Sequence, residues 1–408
     1  MADRALDGIK IVELAQLVAG PYCAKLLADL GADVLKVEPP CGDRARSLGP
    51  FPGDCPHHEQ SGLFLYLNTN KRGITLNPQA HTGRRLLCEL VRRADVLVED
   101  GPPPAMAWLG LDYEALREIN PGLVVTSITP FGQSGPYRDY KAYDITCQAA
   151  GGIAYVTGDP EQEPLIVPGN QADYQAALNA AVGTLAALLC RETSGQGQHV
   201  DISEQESIAS VLGDVISFFS YQGRVRPRRI KPQDFADLRL LWPAGIYPCK
   251  DGYINITVLE PHQWRSFVDL IGNPPWATDP RYEDRYFPQE QGAADIDLEP
   301  LITEALGHFT REELFHEGQR RRIPVSPVYD AAEVLRSPQL VERGFFVPAR
   351  HPAAGTLTYP GAPYKLGQTP WRIERTAPLL GEHNEEVLVK ELGLSRTDLV
   401  KMAQAGII

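Results

Sequence analysis

Short apolar runs alternate with amphipathic or small-residue stretches from the start of the chain. Residues 9 to 14 (Ile-Lys-Ile-Val-Glu-Leu) are dominated by β-branched and apolar side chains and read as a strand. A loop over Ala15–Gly20 follows. Pro21 suits the first turn of a helix predicted to run to Leu30 and stop at Gly31. Asp33–Val37 is a second strand, closed by Glu38-Pro39-Pro40. Strand, helix and strand in about 30 residues make a parallel crossover. The same alternation predicts a helix from about Thr82 to Arg93, a strand over 95–98, a short helix over Tyr113–Ile119 and a strand over Leu123–Ile128. This is the pattern of an α/β protein with a large, doubly wound, Rossmann-like domain, whose ligands sit at the carboxyl ends of the strands.

Phe131–Asp144 is polar and turn-rich and leads to Gly151-Gly152. The stretch Val167–Gly183 begins with a Pro168-Gly169 turn. It continues as a small-residue helix to about Arg191, in which Ala176, Ala177, Ala180, Ala181 and Gly183 let another backbone approach closely. Asp173 falls at or near the first turn. It can be a helix cap, or an ionised nucleophile favoured by the helix macrodipole; the stretch alone leaves both open.

Further on, His199–Ser203 is a strand and Glu204 to about Ser220 a helix. The basic run Gly223–Lys231 reads as a solvated linker. Ala244–Cys249 and Tyr253–Val258, joined by Lys250-Asp251-Gly252, form a hairpin. With helices near His262–Ile271 and Arg311–Glu317 they make a smaller α+β domain. The tail from Pro327 is rich in Pro and Gly, with helices at about Glu385–Leu392 and Arg396–Ala405. The expected division is 1–225 for the large domain, 226–328 for the small domain with its linkers, and 329–408 returning to the large domain.

Composition removes several function classes. A net charge of -13 over 408 residues speaks against a nucleic-acid partner, yet leaves room for an anionic small molecule held by a local basic cluster. Seven scattered cysteines without a Cys-x-x-Cys pair point to reduced thiols in a cytoplasm rather than disulfides or zinc. Met1-Ala2-Asp3-Arg4 has no leader character, and no apolar run reaches the roughly 18 residues of a membrane span. His57-His58 with Cys55 read as loop residues, so no metal is expected. No Gly-x-Gly-x-x-Gly occurs near the first crossover, so no dinucleotide site is assigned.

Taken together in order, several stretches resemble the family III CoA-transferases, which include formyl-CoA and carnitine CoA-transferases and 2-methylacyl-CoA racemases. They are Leu6–Leu14, Ala19-Gly20-Pro21, Leu30–Glu38, Gly42–Arg46, Asn68–Arg72, Leu109–Tyr113, Asn120–Leu123, Gly132–Pro136, Gly195–Asp201, Ile323–Val325 and Gly381–His383. Single motifs are weak; the ordered set spans nearly the whole chain.

The resemblance implies that Asp173 is a covalent nucleophile. It would attack an acyl-CoA donor, possess the acyl group as an anhydride, and then carry CoA as an aspartyl thioester before handing it to a small carboxylic acid. Gln16 and Tyr143 are expected to assist, with backbone amides near Asp173 as oxyanion donors. The racemases carry His where Ala142-Tyr143-Asp144 has Tyr, and an ordinary Tyr is a poor acid-base group for α-carbon chemistry, which favours a transferase. A racemase or epimerase is the alternative. The same resemblance implies CoA binding by Val18, Ala19, Arg46, Asn70, Lys71, Arg72 and Lys141. Asp100 is carried with them; it lies in Glu99–Pro104, which departs from the family's Glu-Asn-Phe-Arg-Pro-Gly. No Gly-Gly-Gly flap run occurs between 220 and 262. CoA thioesters are substrates, with no resident cofactor. A ring-shaped chain in an interlocked homodimer is implied, with succinyl-CoA as a donor and Arg138, Arg228 or Arg239 as candidates to face a second carboxylate.

Overall fold

The computed structural model describes residues 4–159, 161–226, 228, 243–278 and 299–408. These form two compact units, Met1–Val225 with Gly344–Ile408, and Arg226–Arg343. The return expected at 329 therefore lies before the end of the second unit.

The first unit is built on six parallel strands: β1 (Lys10–Leu14), β2 (Asp33–Glu38), β3 (Lys71–Thr75), β4 (Val96–Glu99), β5 (Val124–Thr129) and β6 (His199–Ser203). Their spatial order is β3-β2-β1-β4-β5-β6. Val12 stands opposite Leu35 on one side and Leu97 on the other. Strand residues alternate faces, and both faces are apolar. Val12, Leu35, Leu97 and Val125 pack toward α3 (His81–Arg92) and α5 (Tyr113–Ile119). Ile11, Val34, Val96 and Val124 pack toward α1 (Ala19–Asp29) and α7 (Gln171–Ser194). Between them along the chain lie α2 (Gly62–Leu67), α4 (Pro103–Leu109) and α6 (Asp144–Ala150). Cys23, Ala24 and Leu27 of α1 share one buried cluster with Ala176, Ala177 and Ala180 of α7. The strand order reverses between β1 and β4, so the loops following these two strands meet at the switch point, where open α/β sheets place their ligands.

After β6 the predicted single helix is two: α8 (Glu204–Ser210) and α9 (Gly213–Gln222). The break falls at Val211-Leu212 before Gly213, a poor helix former. α1 begins two residues earlier than predicted, and α6 lies at the end of a stretch read as loop. The Pro- and Gly-rich tail holds an antiparallel hairpin, Phe346–His351 with Gly355–Pro360, before a π-helix at Glu385–Glu391 and a last α-helix at Arg396–Gln404.

The second unit contains the predicted hairpin, Ala244–Cys249 paired with Gly252–Thr257, extended by Val325–Pro327. Trp264, Phe267, Ile302 and Leu314 fill its core. Pro227 and 229–231 of the basic run, Arg239 and part of the 220–262 stretch lie outside the described residues. Among the described residues, no helix is long and apolar enough to cross a membrane, and no group of three His, Cys, Asp or Glu side chains is placed to hold a metal ion.

Candidate active site

Asp173 is the third residue of α7 and the acidic residue of its first turn. Helix starts leave N–H groups without intrahelical partners, which a cap usually takes up. Here Asp144 does so: its Oδ1 accepts the N–H of Ala172 at 2.7 Å. The residue at the ordinary cap position, Asn170, has a left-handed backbone and makes no side-chain cap bond. Capping of that N–H therefore falls to Asp144 rather than to Asp173.

Burial pushes the Asp173 carboxyl up to about 8, and the carboxylates of Glu204, Asp144 and Asp100 add to the effect in that order. Glu204, the first residue of α8, is itself buried and raised, chiefly by that burial. Asp100 follows β4. Burial raises its carboxyl well above the usual range, although the Gln16 N–H donates to its Oδ2 at 2.9 Å. That bond ties the loop after β1 to the loop after β4 across the switch point. Tyr22 of α1 meets Tyr174 edge-on, with ring centroids 4.8 Å apart.

The loop between β1 and α1 is held by buried charges. Lys36 Nζ lies 2.8 Å from Glu13 and 2.8 Å from Asp43, and donates to the Ala15 carbonyl at 3.0 Å. Lys71 Nζ lies 2.7 Å from Glu13 and donates to the Pro21 carbonyl at 2.8 Å. Asp43 also accepts the N–H of Leu17 at 3.0 Å, where the backbone is left-handed at φ 64°. A branched residue there costs about 1–3 kcal/mol, so surrounding contacts must impose it. A Cβ on Gly20 would lie 2.2 Å from the Ala15 Cβ, so the tight return of the loop admits only glycine.

Four of the side chains that the resemblance assigns to CoA are engaged within the protein. Arg46 is fully buried, held by Glu38 and Glu59 and donating to the Pro378 carbonyl at 3.0 Å. Lys71 is fully buried on Glu13, and burial lowers its ammonium to about 8. Arg72 is engaged by Asp33, Glu386 and Glu391. Asn70 donates to Asp29 and to the Arg372 carbonyl, and its Oδ1 accepts the N–H groups of Glu374 and Arg375. These side chains bind the fold together instead of presenting free donors to a phosphate.

Val18 and Ala19 are buried at the start of α1. Gln16 is half-buried, and its Oε1 accepts the N–H of Arg44 at 3.3 Å. Lys141 is exposed, and Tyr143, just before α6, is 73 % exposed. Arg138 is exposed beside Asp139. The structure thus brings Asp173, Asp100 and the Gln16 loop to one end of the sheet and leaves Tyr143 and Lys141 on the surface near α6.

Glu204, Asp144 and Gln148 were not assigned roles by sequence reasoning. Asp144 was visible only as the neighbour of Tyr143. The cap bond it makes spans 28 residues, which local patterns do not reveal.

Comparison with known proteins places the chain in a family. The model of CoA-transferase family III matches residues 6–384. The chain is 35% identical over 406 residues to a subunit of the succinyl-CoA:(R)-benzylsuccinate CoA-transferase of Thauera aromatica, covering 95% of each. It is 33% identical over 412 residues to a succinyl-CoA–D-citramalate CoA-transferase of Chloroflexus aurantiacus, covering 99% of this chain and 98% of the relative. Among solved structures, a CAIB/BAIF family protein of Brucella suis superposes with a TM-score of 0.84 at 30% identity, covering 95% of this chain and 99% of that one.

Proposed function

The chain belongs to CoA-transferase family III and is a CoA-transferase, and we propose that it moves CoA from succinyl-CoA to a second carboxylic acid through covalent intermediates on Asp173. The observation that carries this reading is the uncapped carboxyl of Asp173, at the start of a 24-residue helix whose cap is supplied from elsewhere.

In the first step an Asp173 oxygen attacks the thioester carbon of the donor. The C–S bond breaks, leaving an aspartyl-succinyl anhydride and CoA thiolate. The thiolate then attacks Cγ of Asp173 and expels succinate, giving an aspartyl-CoA thioester. The acceptor carboxylate attacks the same carbon and expels the thiolate, forming a second anhydride. Attack of the thiolate on the acceptor acyl carbon releases the new thioester and restores the Asp173 carboxylate. No proton is gained or lost overall, and each step exchanges a carboxylate and a thiolate at one acyl carbon, splitting one hard exchange into easier ones.

Each tetrahedral intermediate needs donors for its oxyanion. In the first turn of α7, Ala172 donates to Asp144 and Tyr174 to the Asn170 carbonyl. The N–H groups of Gln171 and Asp173 are left for this task. Gln16 contributes the Nε2 end of its amide, since its Oε1 is taken by Arg44. Val18 and Ala19 line the approach, and Lys141 is the exposed cation retained for CoA. Succinyl-CoA as donor rests on the relatives that use it.

The wider reading includes a reducing cytoplasm, supported by seven unpaired cysteines, and an interlocked homodimer of ring-shaped chains. Leu178, Val182 and Leu189 leave an exposed apolar stripe on α7, which a second copy would cover.

The test is acceptor dependence. With succinyl-CoA and a panel of free acids, new thioester must form only when an acid is added. Exchange of an α-proton without any acceptor would instead identify an isomerase.

A further inference from the structure

We infer that Gln148 is a positioning residue for Asp173, acting as a clamp that holds both ends of the turn leading into the nucleophile helix. The inference rests on Asp173 being the nucleophile.

Gln148 is fully buried on α6. Its amide makes three bonds. The Oε1 accepts the N–H of Val167 at 2.9 Å, and Nε2 donates to the Val167 carbonyl at 2.9 Å. This is a two-point pairing with the backbone of one residue, which fixes that residue in both position and orientation. The Nε2 also donates to Asp144 Oδ2 at 2.7 Å. The other oxygen of Asp144 accepts the N–H of Ala172. One continuous chain of bonds thus runs from Val167 through Gln148 and Asp144 to Ala172, the residue directly before Asp173.

The clamp spans the part of the backbone least able to hold its own shape. Between its two ends lie Pro168, Gly169 with φ 88°, Asn170 with φ 56° and Gln171. Two successive left-handed residues persist only where the surroundings impose them. Both N–H donors and the oxygen of the Gln148 amide are used, so this buried side chain is satisfied and directional.

The proposed chemistry explains why such a clamp would serve. Asp173 must first present an oxygen to the donor thioester, and then present its own Cγ to the returning thiolate. The side chain changes role within one turnover while the oxyanion donors on its backbone stay in place. A fixed backbone beneath a reacting side chain meets both demands, and displacement by about 1 Å costs roughly 100-fold in rate.

The experiment compares Gln148→Leu, Asp144→Asn, Gln148→Glu and the double variant Asp144→Asn/Gln148→Glu with the full-length enzyme and with Asp173→Asn, using succinyl-CoA. The readouts are kcat, KM for the thioester and thermal midpoint. Gln148→Leu keeps the volume but removes all three bonds. We expect kcat to fall between about 10- and 100-fold with KM changed less than about twofold. Gln148→Glu opposes two carboxylates, and Asp144→Asn opposes two amides. The double variant restores the donor–acceptor pair between 144 and 148 in the reverse sense but leaves the Val167 carbonyl facing an acceptor, so its kcat is expected to recover only in part, by at least about twofold over the lower single variant. This swap decides the matter if Gln148→Leu does not fold. A wild-type kcat in Gln148→Leu, or losses that simply multiply in the double variant, would overturn the clamp while leaving Asp173 untouched. Activity persisting in Asp173→Asn would instead remove the nucleophile on which the clamp depends.

Discussion

The carboxylate of Asp144 accepts the N–H of Ala172 at 2.7 Å, one residue before Asp173. A carboxylate on one helix caps the start of another and frees the neighbouring carboxyl for chemistry. Asp144→Ala therefore removes a cap and is expected to cost about 1 kcal/mol of stability. Its larger effect falls on turnover, because the start of α7 loses its fixed orientation. Denaturant unfolding and steady-state rates on the same preparation separate the two effects.

Activity should rise with pH. A nucleophilic carboxyl must be ionised, and that of Asp173 is pushed up to about 8 by burial and by the carboxylates of Glu204, Asp144 and Asp100. Below that pH, kcat/KM should climb about tenfold per unit and then level off. Glu204→Gln removes one negative neighbour and moves the midpoint down. A midpoint unchanged in that variant would show that Glu204 does not face Asp173 in the free enzyme.

The same carboxyl should weaken the fold where it works. Its folded-state value lies above its ordinary value of 3.8, so the folded chain holds the proton more tightly than the unfolded one. Stability from this group is greatest below pH 3.8 and is lost as pH rises toward about 8. Asp173→Asn should then melt higher than the wild type at pH 8, by about 2 °C or more, while the difference vanishes near pH 4. Thermal scans at the two pH values check the sign.

The buried ion network predicts stability losses where the family resemblance alone would predict weaker CoA binding. Arg46 and Lys71 sit on Glu38, Glu59 and Glu13 with no exposed surface. Removing one partner of a buried pair leaves an uncompensated charge and costs about 3–5 kcal/mol. Arg46→Ala and Lys71→Ala should unfold at markedly lower denaturant. A normal unfolding midpoint with a raised KM for the thioester would restore them as CoA ligands.

Sequence periodicity located every strand of the large sheet except β3, because strands buried on both faces read as apolar runs with sharp turn signals. Lys71-Arg72-Gly73 opens β3 with two charges and a glycine, and nothing local marks it as a strand; its parallel pairing with β2 makes it one, with Glu13 and Glu386 taking up the charges. The hairpin at Phe346–Pro360 was hidden by its prolines, which edge strands tolerate. At the site, the turn and helix left Asp173 open between cap and nucleophile, and the family resemblance singled it out. Its environment was not, because Asp100, Asp144 and Glu204 reach it from three different elements. Arg46 and Lys71 resemble phosphate ligands by type, and their buried carboxylate partners were not visible in the sequence.

Mass spectrometry of the Asp173 peptide tests the central claim most directly. The protein would be mixed with succinyl-CoA and other acyl-CoAs, quenched with hydroxylamine or borohydride, and digested. The account predicts modification confined to Asp173 and absent from Asp173→Asn, with the effective thioester identifying the donor. An unmodified Asp173 across the panel, in protein that still transfers CoA to a free acid, would contradict it.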